Sequence, residues 1–292
     1  MKIIKNIRTL INFFGYDVRK INQKGYLDLY VQLYGEEAVA KRRFYNIGAG
    51  NFYHPAWTNV DHSSEWYRKA QGRNLNIDWD LLSLIPIPVN DNCAEIVYSS
   101  HTVEHISDQA AAHMFKEAYR ILKEGGIFRI TMPDIDLHFR AYQQNDRRFY
   151  YLIKRYSKTK ECKRVKLNKP LAEASIQQLF LWHFASNAST LHADGAPERI
   201  GDEELDSIFR EREYAKALDY CISKCSFEVQ KKYPGGHINW WNRTKLLEML
   251  KQAGFKRPYV SGYGQSICPV LRDTLLFDNT RPKISLYAEA VK

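Results

Sequence analysis

Apolar and polar positions follow two different rhythms along this chain. Over residues 43–133, short apolar runs bounded by glycine, proline and polar residues read as buried strands: Arg43 to Ile47, Thr58 to Val60, Glu95 to Ser99, and Ile127 to Met132, stopped by Pro133. Before the last of these, Ala111, Met114, Phe115, Ala118, Ile121 and Leu122 recur at helical spacing, with Ser107 or Asp108 placed to cap the helix and Gly125-Gly126 to close it. Asn76 to Asn92, with Pro86 and Pro88, reads mostly as loop. Strands alternating with helical patterns predict parallel β-α units.

From Asp134 to about Tyr233 this rhythm disappears. The stretch is rich in aromatics and helix formers and ends at Pro234-Gly235-Gly236. It reads as a mostly helical insertion over the site. The α/β pattern then resumes with a helix at Thr244 to Ala253 closed by Gly254, a strand near Arg257 to Tyr263, and a terminal strand from Ile284 to Val291. The expected organisation is a basic amphipathic lead-in (1–42), one α/β core (43–133 and 236–292) and the insertion (134–235).

Charge adds two features to this plan. The net charge of +10 is concentrated in residues 1–24, with six Lys/Arg and one acid, and residues 147–170, with ten and one; everything else sums to −4. The first segment places Ile3, Ile4, Ile7, Leu10, Ile11 and Phe14 on one helical stripe without a continuous apolar run. That pattern excludes a secretory signal or membrane span and suits either an anionic membrane surface or packing on protein. The second interleaves tyrosines with Lys and Arg, which fits a nucleotide-sugar or lipid-linked diphosphate; nucleic acid is the less favoured partner. Five scattered cysteines without a C-x-x-C pair indicate a reducing, cytoplasmic setting.

The candidate cofactor site is FYNIGAGNFYHPAWTNVD, residues 44–61. Glycines after a first strand let the backbone approach a ligand closely. A dinucleotide fingerprint would continue as G-x-G-x-x-G and open a full helix. Here Tyr53 occupies the third glycine position, Pro55 interrupts the helix, and Asp61 comes only 13 residues after Gly48. What remains is a tight turn and a carboxylate suited to ribose hydroxyls without a pyrophosphate, and S-adenosylmethionine fits.

The runs YNIGAGNFYHPAWTNVDHS, DLLSLIPIPVNDNCAEIVYSSHTVEHI and FKEAYRILKEGGIFRITMPD resemble the class I S-adenosylmethionine-dependent methyltransferases. Within them the likeness is closer to the type-11 group found among bacterial sugar and cell-surface-glycan methyltransferases. The resemblance covers roughly residues 43–136 and 236–292. It implies a Rossmann-like α/β sheet, mostly parallel with an antiparallel last strand. It also implies that Asn46, Gly48, Ala49 and Gly50 face the methionine part of the cofactor, with Ser100 and His101 lining its sulfonium side. Asp61 and His62 would stand at the ribose, and Asp80 and Leu81 at the adenine. The bulky loop with Phe52, Tyr53, His54 and Trp57 departs from the family.

Methyl transfer to a hydroxyl needs alignment and a group that takes the proton. His101, Asp134, His105 and His237 are the candidates, with Glu104 and His183 beside them; His113 and His138 read as structural. His101, Glu104 and His105 also have a spacing that could gather metal-competent side chains. Similar patterns in the ubiquinone and small-RNA methyltransferases are associated with a divalent ion, but those families carry an acid where this chain has His101, so no metal is expected. HINWWN, 237–242, offers two tryptophans that either pack on sugar rings or fill the core. The expected activity is O-methylation of a sugar of a cell-surface glycan or its activated precursor. An RNA methyltransferase or a non-catalytic cofactor-binding scaffold are the alternatives.

Overall fold

The computed structural model describes residues 25–63, 74–150, 162 and 165–292. The basic segment 1–24 and most of 151–164 therefore lie outside the described residues, and with them the expected N-terminal amphipathic helix. The chain divides into two compact units, residues 1–41 and 42–292. The described part of the first is a helix, α1 (Gly25–Ala40), broken at Gly35, whose φ of 81° leaves the helical region.

The second unit is built on a seven-stranded sheet. Its strands are β1 (Phe44–Ile47), β2 (Trp57–Asp61), β3 (Ile77–Asp78), β4 (Ala94–Ser100), β5 (Leu122–Pro133), β6 (Tyr259–Ser261) and β7 (Ser285–Val291), in the order β3-β2-β1-β4-β5-β7-β6. β1 to β5 pair in parallel, and β7 runs antiparallel to both β5 and β6. This is the Rossmann-like methyltransferase sheet, with its antiparallel last strand in sequence lying inside the sheet. The order reverses at β1, between β2 and β4, and such a switch point opens a crevice at the carboxyl ends of the strands.

Helix α2 (Asp108–Ile121) covers one face. Ser107 Oγ accepts from Ala110 N–H at its start, and Ala111, Met114, Phe115, Ala118 and Ile121 are fully buried, as their spacing predicts. Full burial of Phe115 or Ile121 contributes about 1.5–3 kcal/mol each. The helix does not run on to Gly125-Gly126. Leu122 is fully buried and pairs with Ala94, so β5 starts there and carries both glycines inside the strand, Gly125 at φ 76°. The ladder shifts register between Ala94 and Ile96, and a Cβ on Gly126 would lie 2.8 Å from the Lys123 carbonyl oxygen. A second difference is β3, a two-residue strand within the stretch read as loop.

Between β5 and β6 the chain forms α3 (Ile135–Gln143), α4 (Ile176–Trp182), α5 (Asp202–Glu211), α6 (Tyr214–Ser223), α7 (Phe227–Lys232) and α8 (Arg243–Gln252). A separate apolar cluster runs through this region from Ile135 to Trp240, distinct from the cluster around the sheet and α2. Both tryptophans of HINWWN are core residues: Trp240 belongs to the helical cluster, its indole donating to Asp219, and Trp241 to the sheet cluster. Burial removes them as sugar platforms. No helix among the described residues is long and apolar enough to cross a membrane.

Candidate active site

The turn after β1 contains no helix. Gly48 (φ 70°) and Gly50 (φ 55°) take left-handed conformations, and Asp61 at the end of β2 reaches back to the turn. Its Oδ2 accepts from Gly50 N–H and its Oδ1 from His62 N–H, each at 2.7 Å. The carboxylate is thus fixed by backbone donors, and each oxygen keeps acceptor capacity for a further partner. A Cβ on Gly48 would lie 2.1 Å from Thr102 Oγ1, so the turn packs directly on the segment after β4. A Cβ on Gly50 would meet no protein atom within 4 Å, so the space beside it is free for a ligand.

These residues border a cleft of about 650 Å³ at the carboxyl ends of β1 to β4. Gly48, Gly50, Asp61, His62, Asp80, Leu81, His101 and His105 line it, eight of the positions named from sequence. Asp80 caps a short 3-10 turn, Leu81–Ser83, by accepting from Leu82 N–H at 2.9 Å, which holds the turn against the cleft. Trp79, Thr102, Ile106, Gln230, Lys231 and Pro234 also stand in the wall. Sequence reasoning missed these six. Trp79 and Thr102 adjoin residues it named, whereas Gln230, Lys231 and Pro234 arrive from α7 and the turn after it without a local signal.

Asn46, Ala49 and Ser100 do not join that wall. They line a separate cavity of about 260 Å³ with Phe52, Tyr53, Tyr98 and Leu275, and Gly48 borders both. Neighbouring side chains in extended chain point to opposite sides, which separates Asn46 from Ile47, whereas His101 follows the end of β4 in a left-handed conformation.

The candidate proton acceptors are in contrasting states. His101, at φ 53° just after β4, is hydrogen-bonded through Nε2 to Ser285 Oγ at 2.8 Å, and its Nδ1 lies 3.0 Å from Glu104 Oε1. Asp134 caps α3 by accepting from Asp136 N–H and does not line the cleft. Burial pushes its carboxyl up to about 6. His105 donates from Nδ1 to the Gly236 carbonyl at 2.9 Å, which leaves the Nε2 lone pair unprotonated in the neutral ring. His237 donates in the same way to the His183 carbonyl at 2.6 Å. Burial, then the neighbouring His105, hold His237 down to about 3. The His105 and His237 rings meet edge to face with centroids 4.8 Å apart. His183 and His138 are buried, their rings tilted by 35° with centroids 4.7 Å apart, and His183 donates to the Leu179 carbonyl. His113 packs beside Trp79 on the outer side of the cleft wall, its Nε2 3.1 Å from the Ile85 carbonyl oxygen.

Residues 48–130 match the family described as methyltransferase domain. No curated protein matches the chain. Among solved structures, the chain is similar to an S-adenosylmethionine-dependent methyltransferase from Thermotoga maritima (13% identity, 92% of this chain and 93% of that one, TM-score 0.39). Comparable likenesses are to methyltransferases from Archaeoglobus fulgidus (11%, 92% and 94%, 0.39) and Mesorhizobium loti (14%, 86% and 90%, 0.39). At such scores they add nothing to the sheet order and the domain match, which stand by themselves. S-adenosylmethionine is the cofactor that this domain implies, and the geometry of the turn fits it: open space beside Gly50, a fixed carboxylate at Asp61, and an apolar floor from Leu81 and Trp79.

Proposed function

We propose that this chain transfers the methyl group of S-adenosylmethionine to a sugar hydroxyl of a cell-surface glycan or its activated precursor, in the cytoplasm. Methyl transfer is supported by the match over residues 48–130. The observation that carries the acceptor side is the composition of the cleft, whose wall passes from the cofactor positions to Gln230, Lys231 and Pro234 of the helical region. A cleft of about 650 Å³ has the size of sites that enclose a small molecule. Lys231 beside it offers a charge for an anionic substituent, and the basic composition of residues 1–24 and 147–170 agrees with a phosphorylated acceptor or an anionic surface.

The cofactor supplies a methyl group already activated by its sulfonium. Asp61 would hold the ribose hydroxyls and Asp80 the adenine edge, while Gly48 and Gly50 keep the turn close. The acceptor hydroxyl has to give up its proton on the wall formed by His105, because His101 and Asp134 are engaged elsewhere. Calorimetric titration with S-adenosylmethionine, S-adenosylhomocysteine and NAD tests the cofactor: micromolar binding of the first two and none of the third is expected. Transfer of labelled methyl to a panel of nucleotide sugars, lipid-linked sugars, glycans and RNA then tests the acceptor. Labelling of RNA alone would overturn the sugar reading, and absence of cofactor binding would overturn methyl transfer itself.

A further inference from the structure

The buried carboxylate of Glu104 is not explained by the cleft chemistry. It is 1% exposed, and neither carboxylate oxygen has a hydrogen-bond partner among the described residues; Oε1 is approached by the His101 ring at 3.0 Å and by His105 Nε2 at 4.0 Å. A carboxylate buried without hydrogen-bond donors is unfavourable in the interior unless a cation or a proton satisfies it.

Two imidazoles stand near this carboxylate. Nδ1 of His105 and Nδ1 of His237 each donate to a backbone carbonyl, Gly236 and His183, which leaves both Nε2 lone pairs available. The ligand atoms of Glu104, His105 and His237 all lie within 4.8 Å of one another. Around an ion with bonds of about 2.1 Å, tetrahedral ligands stand roughly 3.4 Å apart, so a contraction of at most about 1.4 Å suffices. The supporting contacts are those that fix metal-bound histidines: a carbonyl on the far nitrogen of each ring, and His101 against the carboxylate.

The geometry points to a divalent transition-metal site of the zinc class, formed by Glu104, His105 and His237. Two imidazoles and one carboxylate favour zinc, manganese or iron over magnesium and calcium. Glu104 and His105 are neighbours in the chain but His237 is far from them, and the sequence pattern named His101 in its place. His105 lines the cleft, so the remaining coordination position opens toward the acceptor. There the ion lowers the pKa of a bound hydroxyl, and the proton leaves to solvent before the new oxygen–carbon bond forms and the carbon–sulfur bond breaks. That role rests on the proposed O-methylation, whereas ion binding does not.

The test is calorimetric titration of chelator-treated full-length protein with zinc, then manganese, without cofactor or acceptor, and with thermal unfolding read in parallel. One equivalent of zinc should bind, in excess magnesium, and raise the midpoint. Glu104→Gln and His237→Gln should each weaken binding at least 100-fold, with His105→Gln, at a less buried position, doing the same where either of the others fails to fold. Failure of the wild type to bind zinc or manganese overturns the site. So does wild-type zinc affinity in folded variants, which would place the ion elsewhere. Zinc binding that depends on these residues in a protein that binds no S-adenosylhomocysteine would uphold the site and sink only its role.

Discussion

Asp61→Asn is the substitution that isolates the cofactor assignment, because it keeps the size of the side chain and removes one acceptor. In the structure both carboxylate oxygens accept backbone N–H groups at 2.7 Å, from Gly50 and from His62. An amide has one acceptor oxygen, so its NH2 must face one of those donors. If the remaining lone pairs accept two ribose hydroxyls, the change removes one charge-assisted hydrogen bond, about 1.5–3 kcal/mol, and reduces the other to a neutral one of about 1 kcal/mol. Because Asp61 is only partly buried, the lower end applies, about 2–3 kcal/mol or roughly 30- to 150-fold in affinity. Calorimetry with S-adenosylhomocysteine measures this, and urea unfolding monitors the turn separately. A variant that binds within threefold of wild type, with its urea midpoint unchanged, would refute the ribose role of Asp61.

Gly48→Ala should destabilise the fold by about 2–5 kcal/mol, from the left-handed conformation and the clash with Thr102, whereas Gly50→Ala should cost about 1–2 kcal/mol of stability but weaken S-adenosylhomocysteine binding; equal urea midpoints for the two would contradict the packing. The Asp134 carboxyl titrates at about 6 in the fold against 3.8 ordinarily, so the folded state keeps a proton that the unfolded chain has released, and stability falls as pH rises from about 4 to 6. Asp134→Asn, which retains the helix cap, should flatten that part of the thermal-midpoint profile, and an unchanged profile would refute it. Arg129 is fully buried and pairs with Asp278 and Glu289, also fully buried. Arg129→Met should lose about 3–5 kcal/mol in urea unfolding, because two interior carboxylates are left without their cation.

What the sequence showed of this fold was local. The cap at Ser107, the buried stripe of α2 and the short turn from Gly48 to Asp61 are each decided by residues close in the chain, and the spacing displays them. β3 was hidden because two residues carry no period. The start of β5 was misplaced because two adjacent glycines signal a helix end more strongly than the burial of Leu122 signals a strand. In the cleft, Asp61 was legible as a carboxylate at a strand end, whereas Asp80, in a stretch read as loop, was reached only through the family resemblance. The division of Asn46 from Ile47 follows from strand alternation and that of Ser100 from His101 from the left-handed turn that ends β4, neither of which the motif alone specifies.

The meeting of His105 with His237 belongs to a different order of information, since it depends on how the helical region returns to the sheet. Residues 236–241 perform that return through backbone contacts. Ile238 N–H donates to the Glu104 carbonyl, Ile135 N–H to the Trp241 carbonyl, and His237 N–H to Ser186 Oγ. Gln230 adds its amide to the carbonyls of His105 and Gly236. The loop after β4 and the end of the helical region are therefore one hydrogen-bonded assembly. Under the proposed function the sheet would supply the cofactor side of the cleft and the helices the acceptor side, and this assembly would join them at Glu104, His105 and His237. A change of acceptor can consequently be made in the helices with the cofactor turn left intact, provided that the contacts of residues 236–241 are preserved.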